Sequence, residues 1–196
     1  HHPDYRERSR QLSYLFEGTD YDKVEFNWPG GDGTNDGQGI TWGPTGMTLA
    51  SGEITSILKQ AFLEHGQAIS SQIGQSDAQT LQRIGNMSAS AAMRAVKQTY
   101  FDRGRSGRAH MKSLFAKLGS IEGVRICYDR VSEKSIDDKM KYYVNYMKQF
   151  SGVTELDYAM FYDISVQTGS PQSKVRSLQA RINPSTRLTG GARRKI

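Results

Sequence analysis

Residues 24–42 read VEFNWPGGDGTNDGQGITW, and this stretch decides how the chain is organised. Hydrophobic Val24 and Phe26 alternate with polar residues at its start, and Ile40-Thr41-Trp42 closes it. Such alternation predicts short strands with one buried face. The glycines, asparagines and aspartates between them are typical of turns. The stretch therefore predicts two strands joined by a Gly-rich loop.

Apolar residues at helical spacing fill most of the remaining chain. A first helix is predicted over residues 4–17, and a second from Ile54 to a stop at His65-Gly66. Further stripes have these members: Met93, Val96 and Tyr100; Met111, Leu114, Phe115 and Leu118; Ile136, Met140, Tyr143, Val144 and Met147; Leu156, Ala159, Met160 and Asp163; Val175, Leu178 and Ile182. The fold class is predicted to be α+β, mainly helical, with one small sheet between the first two long helices.

Short signals mark the starts of three of these helices. Ser76 with Gln79 forms a capping-box pattern, Thr154 precedes a helical stripe, and Ser170-Pro171 is expected to open a last helix. The stretch 124–131 fits either a helix or a strand. The sequence thus leaves this one segment open.

The composition indicates a folded, basic protein. Of 196 residues, 36% are hydrophobic and 23% charged, which excludes a disordered or collagen-like chain. Lys and Arg total 26 against 20 Asp and Glu, a formal net charge of +6. No apolar run approaches the roughly 20 residues that cross a bilayer, so we expect no membrane span. A positive charge favours anionic partners such as nucleic acid, anionic lipid or bacterial cell wall.

Cysteine and histidine form no metal-binding motif in the sequence. Cys127 is the single cysteine, so no intrachain disulfide and no zinc site made of cysteines alone can form. We expect it to be a buried apolar residue. The four histidines are scattered, at His1, His2, His65 and His110. We therefore expect neither a metal ion nor a cofactor.

The first residues, His1-His2, are not preceded by an initiator Met. They are typical of a tag remnant or of the cut edge of a longer protein. We expect residues 1–196 to be a single catalytic domain excised from a longer chain, without a signal peptide.

Two carboxyl groups are candidates for acid–base chemistry. Glu17 closes the first predicted helix beside Leu15 and Phe16, where partial desolvation is expected to raise its pKa and keep it protonated. Asp36 lies in the Gly-rich loop, with Asp32 as the reserve candidate. A protonated acid and an ionised partner are what glycoside hydrolysis requires. The alternatives are a solvated surface glutamate and an ordinary hairpin turn.

Several short motifs follow one another along the chain: Glu17; Asp36-Gly37-Gln38-Gly39-Ile40-Thr41; Gly46-Met47-Thr48; Gly52-Glu53; and Phe161-Tyr162-Asp163-Ile164-Ser165-Val166-Gln167-Thr168-Gly169. Together they resemble the chitosanase branch of the lysozyme superfamily. The resemblance implies a lysozyme-like two-lobed fold in which Glu17 is the general acid, Asp36 the base, and Thr41 holds the attacking water. We expect Thr41, Asn35, Gly37 and Asp163 to contribute to substrate binding, and the resemblance implies that Asp163 lies on a core helix that braces the cleft.

The resemblance covers the active-site half and one C-terminal helix, and it leaves out residues 67–134. Gln38 stands where the family has Arg, and Gln167-Thr168 stands where it has His. These departures concern the substrate more than the fold.

The leading hypothesis is a muramidase that cuts the β-1,4 glycan strand of bacterial peptidoglycan. Net charge favours this substrate, because chitosan is itself cationic and bacterial walls are anionic. The alternatives are a chitosanase and a non-catalytic basic module that binds glycan or nucleic acid, of which nucleic acid is the less expected.

The resemblance also suggests how such a domain would be delivered. It is similar to modules of type VI secretion effectors and of phage lysins, which are made in the cytoplasm and act in the periplasm or on the wall of target bacteria. An immunity protein or a secretion component would then be a partner.

Overall fold

The structure, a computed structural model, describes residues 3–17, 20–148 and 154–167. Within these ranges the chain is predominantly helical with one small sheet. The elements in chain order are α1 (Pro3–Glu17), β1 (Val24–Phe26), β2 (Ile40–Trp42), β3 (Met47–Thr48), α2 (Glu53–Ile73), α3 (Gln75–Gly85), α4 (Ala89–Val96), a π-helical turn (Lys97–Phe101), α5 (Gly104–Ser120), α6 (Glu122–Lys148) and α7 (Glu155–Gln167). The predicted helical class and the place of the sheet between α1 and α2 are confirmed. None of the helices in these ranges is long and apolar enough to cross a membrane.

The chain divides into two compact units, each with its own hydrophobic core. The sheet unit, residues 18–133, contains the three strands, α2 to α5 and the first part of α6. The terminal unit, residues 1–17 and 134–196, contains α1, the rest of α6 and α7.

The sheet is antiparallel, with β2 in the centre. Alternate residues point to opposite faces of a sheet. The inward face is fully apolar and consists of Val24, Phe26, Ile40, Trp42 and Met47, all of them buried. The outward face carries Glu25, Thr41 and Thr48, which lie side by side because Glu25 pairs with Thr41 and Thr41 with Thr48. The sheet thus presents a polar row on its outward side.

Trp42 fixes the sheet to the helices of its unit. Its indole ring lies edge-on between Phe115 of α5 and Tyr128 of α6, at centroid distances of 4.9 and 5.2 Å. Its Nε1 donates to the Tyr21 carbonyl at 2.6 Å, so the one polar atom of the ring is satisfied. The Tyr128 hydroxyl donates in return to the Trp42 carbonyl at 2.9 Å. These contacts hold β2, and with it the loop before it, in a defined place.

Helix α2 differs from the prediction at His65. The predicted stop at His65-Gly66 is instead a kink, with φ −134° and ψ 21° at His65, and the helix continues to Ile73. Ile69 and Ile73, both buried, follow the kink. Their burial outweighs the cost of about 1 kcal/mol that Gly66 imposes on a helix.

Two other details of the predicted helices are wrong. Helix α3 begins at Gln75 after Gly74, without a side-chain cap, so Ser76 is not the capping residue. In α7 the sequence predicts an inward apolar stripe that begins at Leu156. Leu156 is exposed, and Tyr158, Phe161 and Tyr162 are the buried aromatic residues of this helix. These aromatic rings bury more apolar surface than the Leu156 stripe offers, and they decide which face turns inward.

The other helices predicted for the described residues are present, but in α1 Leu15, expected to desolvate Glu17, is exposed. Residues 124–131, which the sequence leaves open between helix and strand, are helical and belong to α6. Thr154 caps α7, since its Oγ1 accepts from the Asp157 amide at 3.2 Å and donates to the Asp157 carboxylate at 2.7 Å. The predicted helix after Ser170-Pro171 lies outside the described residues.

Candidate active site

The loop between β1 and β2, residues 27–39, is held by one buried side chain, Asn27. Its Nδ2 donates to Thr41 Oγ1 at 2.6 Å, and its Oδ1 accepts from the Thr34 amide at 3.0 Å. Its backbone amide donates to the Gly39 carbonyl at 2.8 Å. A Cβ at Gly33 would lie 1.8 Å from Asn27 Oδ1, so the loop passes this amide too closely for any side chain there. Asn27 therefore ties the loop to the strand that follows it.

Asp36 lies at the exposed tip of this loop. Its Oδ2 accepts from Thr34 Oγ1 at 2.8 Å and its Oδ1 from the Gln38 amide at 3.0 Å. The neighbouring residues have positive φ values, 53° at Asn35 and 79° at Gly37, conformations that Asn and Gly tolerate best. The tight turn thus orients the carboxylate by local hydrogen bonds while solvent still reaches it.

Thr41 occupies the middle of the polar row on the outward face of the sheet. Its hydroxyl oxygen accepts from Asn27, and within the described residues its own O–H meets no acceptor. The O–H is therefore available to donate to a bound water or ligand. Thr48, the next residue in the row, donates through Oγ1 to Ser51 at 2.7 Å. Of the two threonines, Thr41 is the one free to hold a water.

Asp32 is hydrogen-bonded to two other parts of the unit. Its Oδ1 accepts from the Phe26 amide at 2.9 Å, and its Oδ2 accepts from Lys112 of α5. Burial acts to raise the pKa of Asp32. The hydrogen bonds from Lys112 and from the Phe26 amide, with the charge of Lys112, outweigh burial and lower this pKa. Arg108 of α5 also reaches the loop, donating to the Gly30 carbonyl at 2.5 Å. Asp32 is thus a brace of the loop, which leaves Asp36 as its open carboxylate.

An open groove of about 610 Å³ lies beside the loop. It is lined by Ala50, Ser88, Ala89, Ser90 and Met93. Met93 is in contact with the loop, because a Cβ at Gly39 would lie 2.1 Å from its Sδ. The Ala50 amide donates to the Gln38 carbonyl at 3.2 Å, which joins the other wall to the same loop. The groove combines an apolar wall with serine hydroxyls, a mixture that is common in small-molecule binding sites.

The predicted site residues divide between the two units. Asn35, Asp36, Gly37 and Thr41 belong to one hairpin of the sheet unit, as the sequence predicts. Glu17 is the last residue of α1 and belongs to the terminal unit. Asp163, also in the terminal unit, is half-buried on α7.

The arginines near the start of the chain are engaged in ion pairs within the terminal unit. Arg6 binds both oxygens of Asp137, at 3.0 and 2.9 Å, and Arg8 pairs with Glu155 at 2.5 Å. Arg10 pairs with Glu7 at 2.9 Å. These arginines therefore have structural partners within the terminal unit.

Asn27 and the two basic braces of α5 are the site residues that the sequence analysis missed. A signal for Asn27 exists in the strand register. Aligning Phe26 with Ile40 makes Asn27 and Thr41 diagonal neighbours on the outward face, within reach of each other. No comparable local signal marks Arg108 or Lys112, which reach the loop from a helix far along the chain.

Side chains able to hold a metal ion belong to helices rather than to this hairpin. In the part of the chain that the structure describes, Glu64, His65 and Cys127 form the cluster with suitable spacing. None of them contributes to the loop contacts given above.

The chain has no counterpart in the comparisons with known proteins: no family model, no curated protein and no solved structure matches it.

Proposed function

We propose that this protein is a glycoside hydrolase that cuts the β-1,4 glycan strand of bacterial peptidoglycan. Glu17 is the general acid, Asp36 the base, and Thr41 the residue that holds the attacking water. The role of Glu17 is assigned through the resemblance to the lysozyme superfamily. The roles of Asp36 and Thr41 have, in addition, the support of the hairpin geometry.

The observation that carries the proposal is the pairing of an open carboxylate with an available hydroxyl on one hairpin. Asp36 is solvent-exposed and oriented by two local hydrogen bonds. Thr41 accepts from the buried Asn27 amide and keeps its O–H free. An ionised carboxylate and a positioned hydroxyl are the two groups that a base-activated water needs. The braces on Asp32 and Gly30 supply the rigidity that such positioning requires.

The chemistry assigned to these residues is a single displacement. Glu17 gives its proton to the glycosidic oxygen as the bond between that oxygen and the anomeric carbon breaks. Asp36 takes a proton from the water held by Thr41, and the water oxygen forms a bond to the same carbon. Because the water attacks from the face opposite the leaving group, the product has the inverted anomeric configuration.

Charge and the groove favour peptidoglycan as the substrate. A protein of net charge +6 is attracted to the anionic wall and repelled by the protonated amines of chitosan. The groove between Met93 and Ala50 opens beside the Asp36 loop, where a glycan strand entering the site would lie. The two-lobed arrangement of lysozymes is part of this proposal.

The place of action follows from the same resemblance. We infer an antibacterial domain that is made in the cytoplasm and acts in the periplasm or on the wall of a target cell. Its partners would be the glycan strands, an immunity protein in the producing cell, and a component of the secretion apparatus.

The test is to incubate the chain with purified peptidoglycan and, separately, with chitosan, and to identify the products by mass spectrometry. We expect muropeptide fragments with new reducing ends from peptidoglycan and none from chitosan. Glu17→Gln should abolish cleavage while the fold is kept, because the amide has no proton to give. Glu122→Gln, which alters an exposed glutamate at the start of α6, is the matched control and should cleave normally.

Three outcomes would contradict the proposal. Products from chitosan alone would move the protein to the chitosanases. Binding of either polymer without products would make it a non-catalytic glycan-binding module. Full activity in folded Glu17→Gln would remove Glu17 as the acid.

A further inference from the structure

Three potential metal ligands from two helices of the sheet unit lie close together. Glu64 and His65 lie on α2, and Cys127 lies on α6. One carboxylate oxygen, one imidazole nitrogen and the Cys127 Sγ all lie within 4.8 Å of one another. Thiolate, imidazole and carboxylate are the three ligand types that Zn²⁺ uses in proteins. The thiolate sets this cluster apart from a chance group of surface carboxylates.

The backbone of α2 departs from helical geometry at this cluster. Consecutive residues of a regular helix do not present their side chains to the same neighbour. At His65 the φ of −134° and ψ of 21° break that regularity. Glu64 and His65, adjacent in sequence, can therefore both face Cys127. The kink that interrupts α2 thus coincides with the point where the three ligands converge.

Helix α6 is shaped to accept the imidazole ring. A Cβ at Gly123 would lie 2.6 Å from two ring atoms of His65, so only glycine leaves room for the ring at this distance. Cys127 is one helical turn beyond Gly123 on the same face of α6. The glycine and the cysteine therefore together form the surface against which His65 rests.

Arg130 supports the carboxylate from outside the cluster. Its Nη1 donates to Glu64 Oε1 at 2.6 Å. In the described chain, Glu64 Oε2 and both ring nitrogens of His65 accept or donate no hydrogen bond. A carboxylate that binds a metal through one oxygen is commonly held by a hydrogen bond to the other. Arg130 is placed to provide that bond.

We propose that Glu64, His65 and Cys127 bind one Zn²⁺ ion that joins the kink of α2 to α6. Cys127 is buried, His65 is half-buried and Glu64 is exposed. The ion can therefore reach the cluster from the solvent, on the side of Glu64. Three protein ligands leave a fourth position for water. The proposal shares no residue with the proposed glycosidase chemistry and stands or falls separately from it.

The test uses the full chain, stripped of metal with a chelator and titrated with Co²⁺, whose bond to a thiolate gives a charge-transfer band in the near ultraviolet. We expect this band to saturate at one equivalent and to disappear when Zn²⁺ is added. Cys127→Ser should remove the band. His65→Gln and Glu64→Gln should each weaken Co²⁺ binding by roughly tenfold or more. His110→Gln, which changes a histidine on α5, is the control and should leave the titration unchanged.

A wild-type chain that shows no thiolate band in excess Co²⁺ would overturn the proposal, even if Co²⁺ binds at the terminal histidines. A band equally strong in His65→Gln and Glu64→Gln would overturn it as well. Because Cys127 is buried, circular dichroism must show that Cys127→Ser is folded. Thermal unfolding gives an independent reading: Zn²⁺ should raise the Tm of the wild type and of His110→Gln, and not that of His65→Gln. An equal rise in all three would again overturn the assignment.

Discussion

The buried amide of Asn27 donates a 2.6 Å hydrogen bond to the hydroxyl of Thr41 across the first two strands. The same side chain accepts from the Thr34 amide, two residues before Asp36 in the loop. One buried residue therefore sets the position both of the proposed base and of the proposed water-holding hydroxyl. These hydrogen bonds both stabilise the folded sheet unit and position the two proposed site residues. Separate substitutions can measure the effect on stability and the effect on activity.

Thr41→Val tests the positioning role. Valine keeps the shape of threonine and its preference for strands, but it has no O–H to donate. A transition-state hydrogen bond of about 1.4 kcal/mol corresponds to a tenfold change in rate, so we expect kcat to fall by about tenfold or more. Thr48→Val, in the same polar row, should leave kcat near the wild-type value. Equal kcat values for the two variants would argue against a role for Thr41.

Asn27→Ala should destabilise the sheet unit by about 1–3 kcal/mol. The substitution leaves the Thr34 amide and the Thr41 hydroxyl without their buried partner. Urea unfolding followed by circular dichroism measures the change. Asn86→Ala, at an exposed helix end, should stay within about 0.5 kcal/mol. A loss no larger than that of Asn86→Ala would show that Asn27 does not hold the loop.

Asp36→Asn and Asp32→Asn should have opposite effects. Asp36 is exposed and bonded within its own turn, so its amide variant should unfold like the wild type but lose about 10²-fold or more in glycan cleavage. Asp32 holds Lys112 and the Phe26 amide, so its variant should unfold more easily yet cleave when folded. Stability curves and cleavage rates of both variants check this pair. Normal turnover by Asp36→Asn would assign the base elsewhere.

Stability should fall in acid in a way that depends on Asp32. Burial acts to raise its pKa, but the hydrogen bonds from Lys112 and from the Phe26 amide, with the charge of Lys112, outweigh burial and lower the pKa in the folded state. The stabilisation is therefore complete above the unfolded pKa, about 3.9, and is lost as the pH falls through the folded value. Urea midpoints measured from about pH 5 downwards should drop less steeply in Asp32→Asn than in the wild type. Asp22→Asn, at an exposed site in the turn before β1, should follow the wild type.

The sequence is informative wherever periodicity and burial agree. The alternation around Val24 and Ile40 predicts the two strands, and the inward residues are indeed the buried ones. The stripe from Met111 to Leu118 predicts the buried face of α5 equally well, because all four of its apolar residues are buried. Each of these patterns is local, so one short window of sequence contains the information.

The sequence does not predict contacts between segments that are far apart along the chain. Lys112 and Arg108 bind a loop about eighty positions earlier, and no local pattern marks them as braces. The Cys127 cluster has the same character, because its partners lie on another helix. The kink at His65 is a third case: His65-Gly66 is a real break, but burial further along makes the helix resume. In α7, burial of the aromatic side chains, rather than of the stripe that begins at Leu156, determines which face of the helix turns inward.

Binding to wall material should weaken as salt rises. The net charge of +6 acts over the Debye length, about 30 Å at 0.01 M and about 10 Å at 0.1 M ionic strength. Sedimentation with purified peptidoglycan should therefore retain less protein at the higher ionic strength. Uncharged chitin, the control polymer, should show little change. A flat response with both polymers would mean that charge does not select the substrate.

Alanine substitutions at two glycines of the loop, Gly37 and Gly39, should reduce the stability of the protein by different amounts. Gly37 and Gly39 both have positive φ values, 79° and 80°, so alanine at either position carries the strain of the left-handed region, about 1–2 kcal/mol. The two positions differ in the room available for a side chain. Nothing lies within 4 Å of a Cβ at Gly37, whereas a Cβ at Gly39 would lie 2.1 Å from Met93 Sδ. Gly39→Ala must therefore also displace Met93 from the wall of the groove, and it should lose more stability than Gly37→Ala. The double variant Gly39→Ala with Met93→Ala should recover part of that additional loss in urea unfolding, because the overlapping sulfur is gone. If Gly37→Ala and Gly39→Ala are equally stable, Met93 does not lie against the loop and the groove has a different wall.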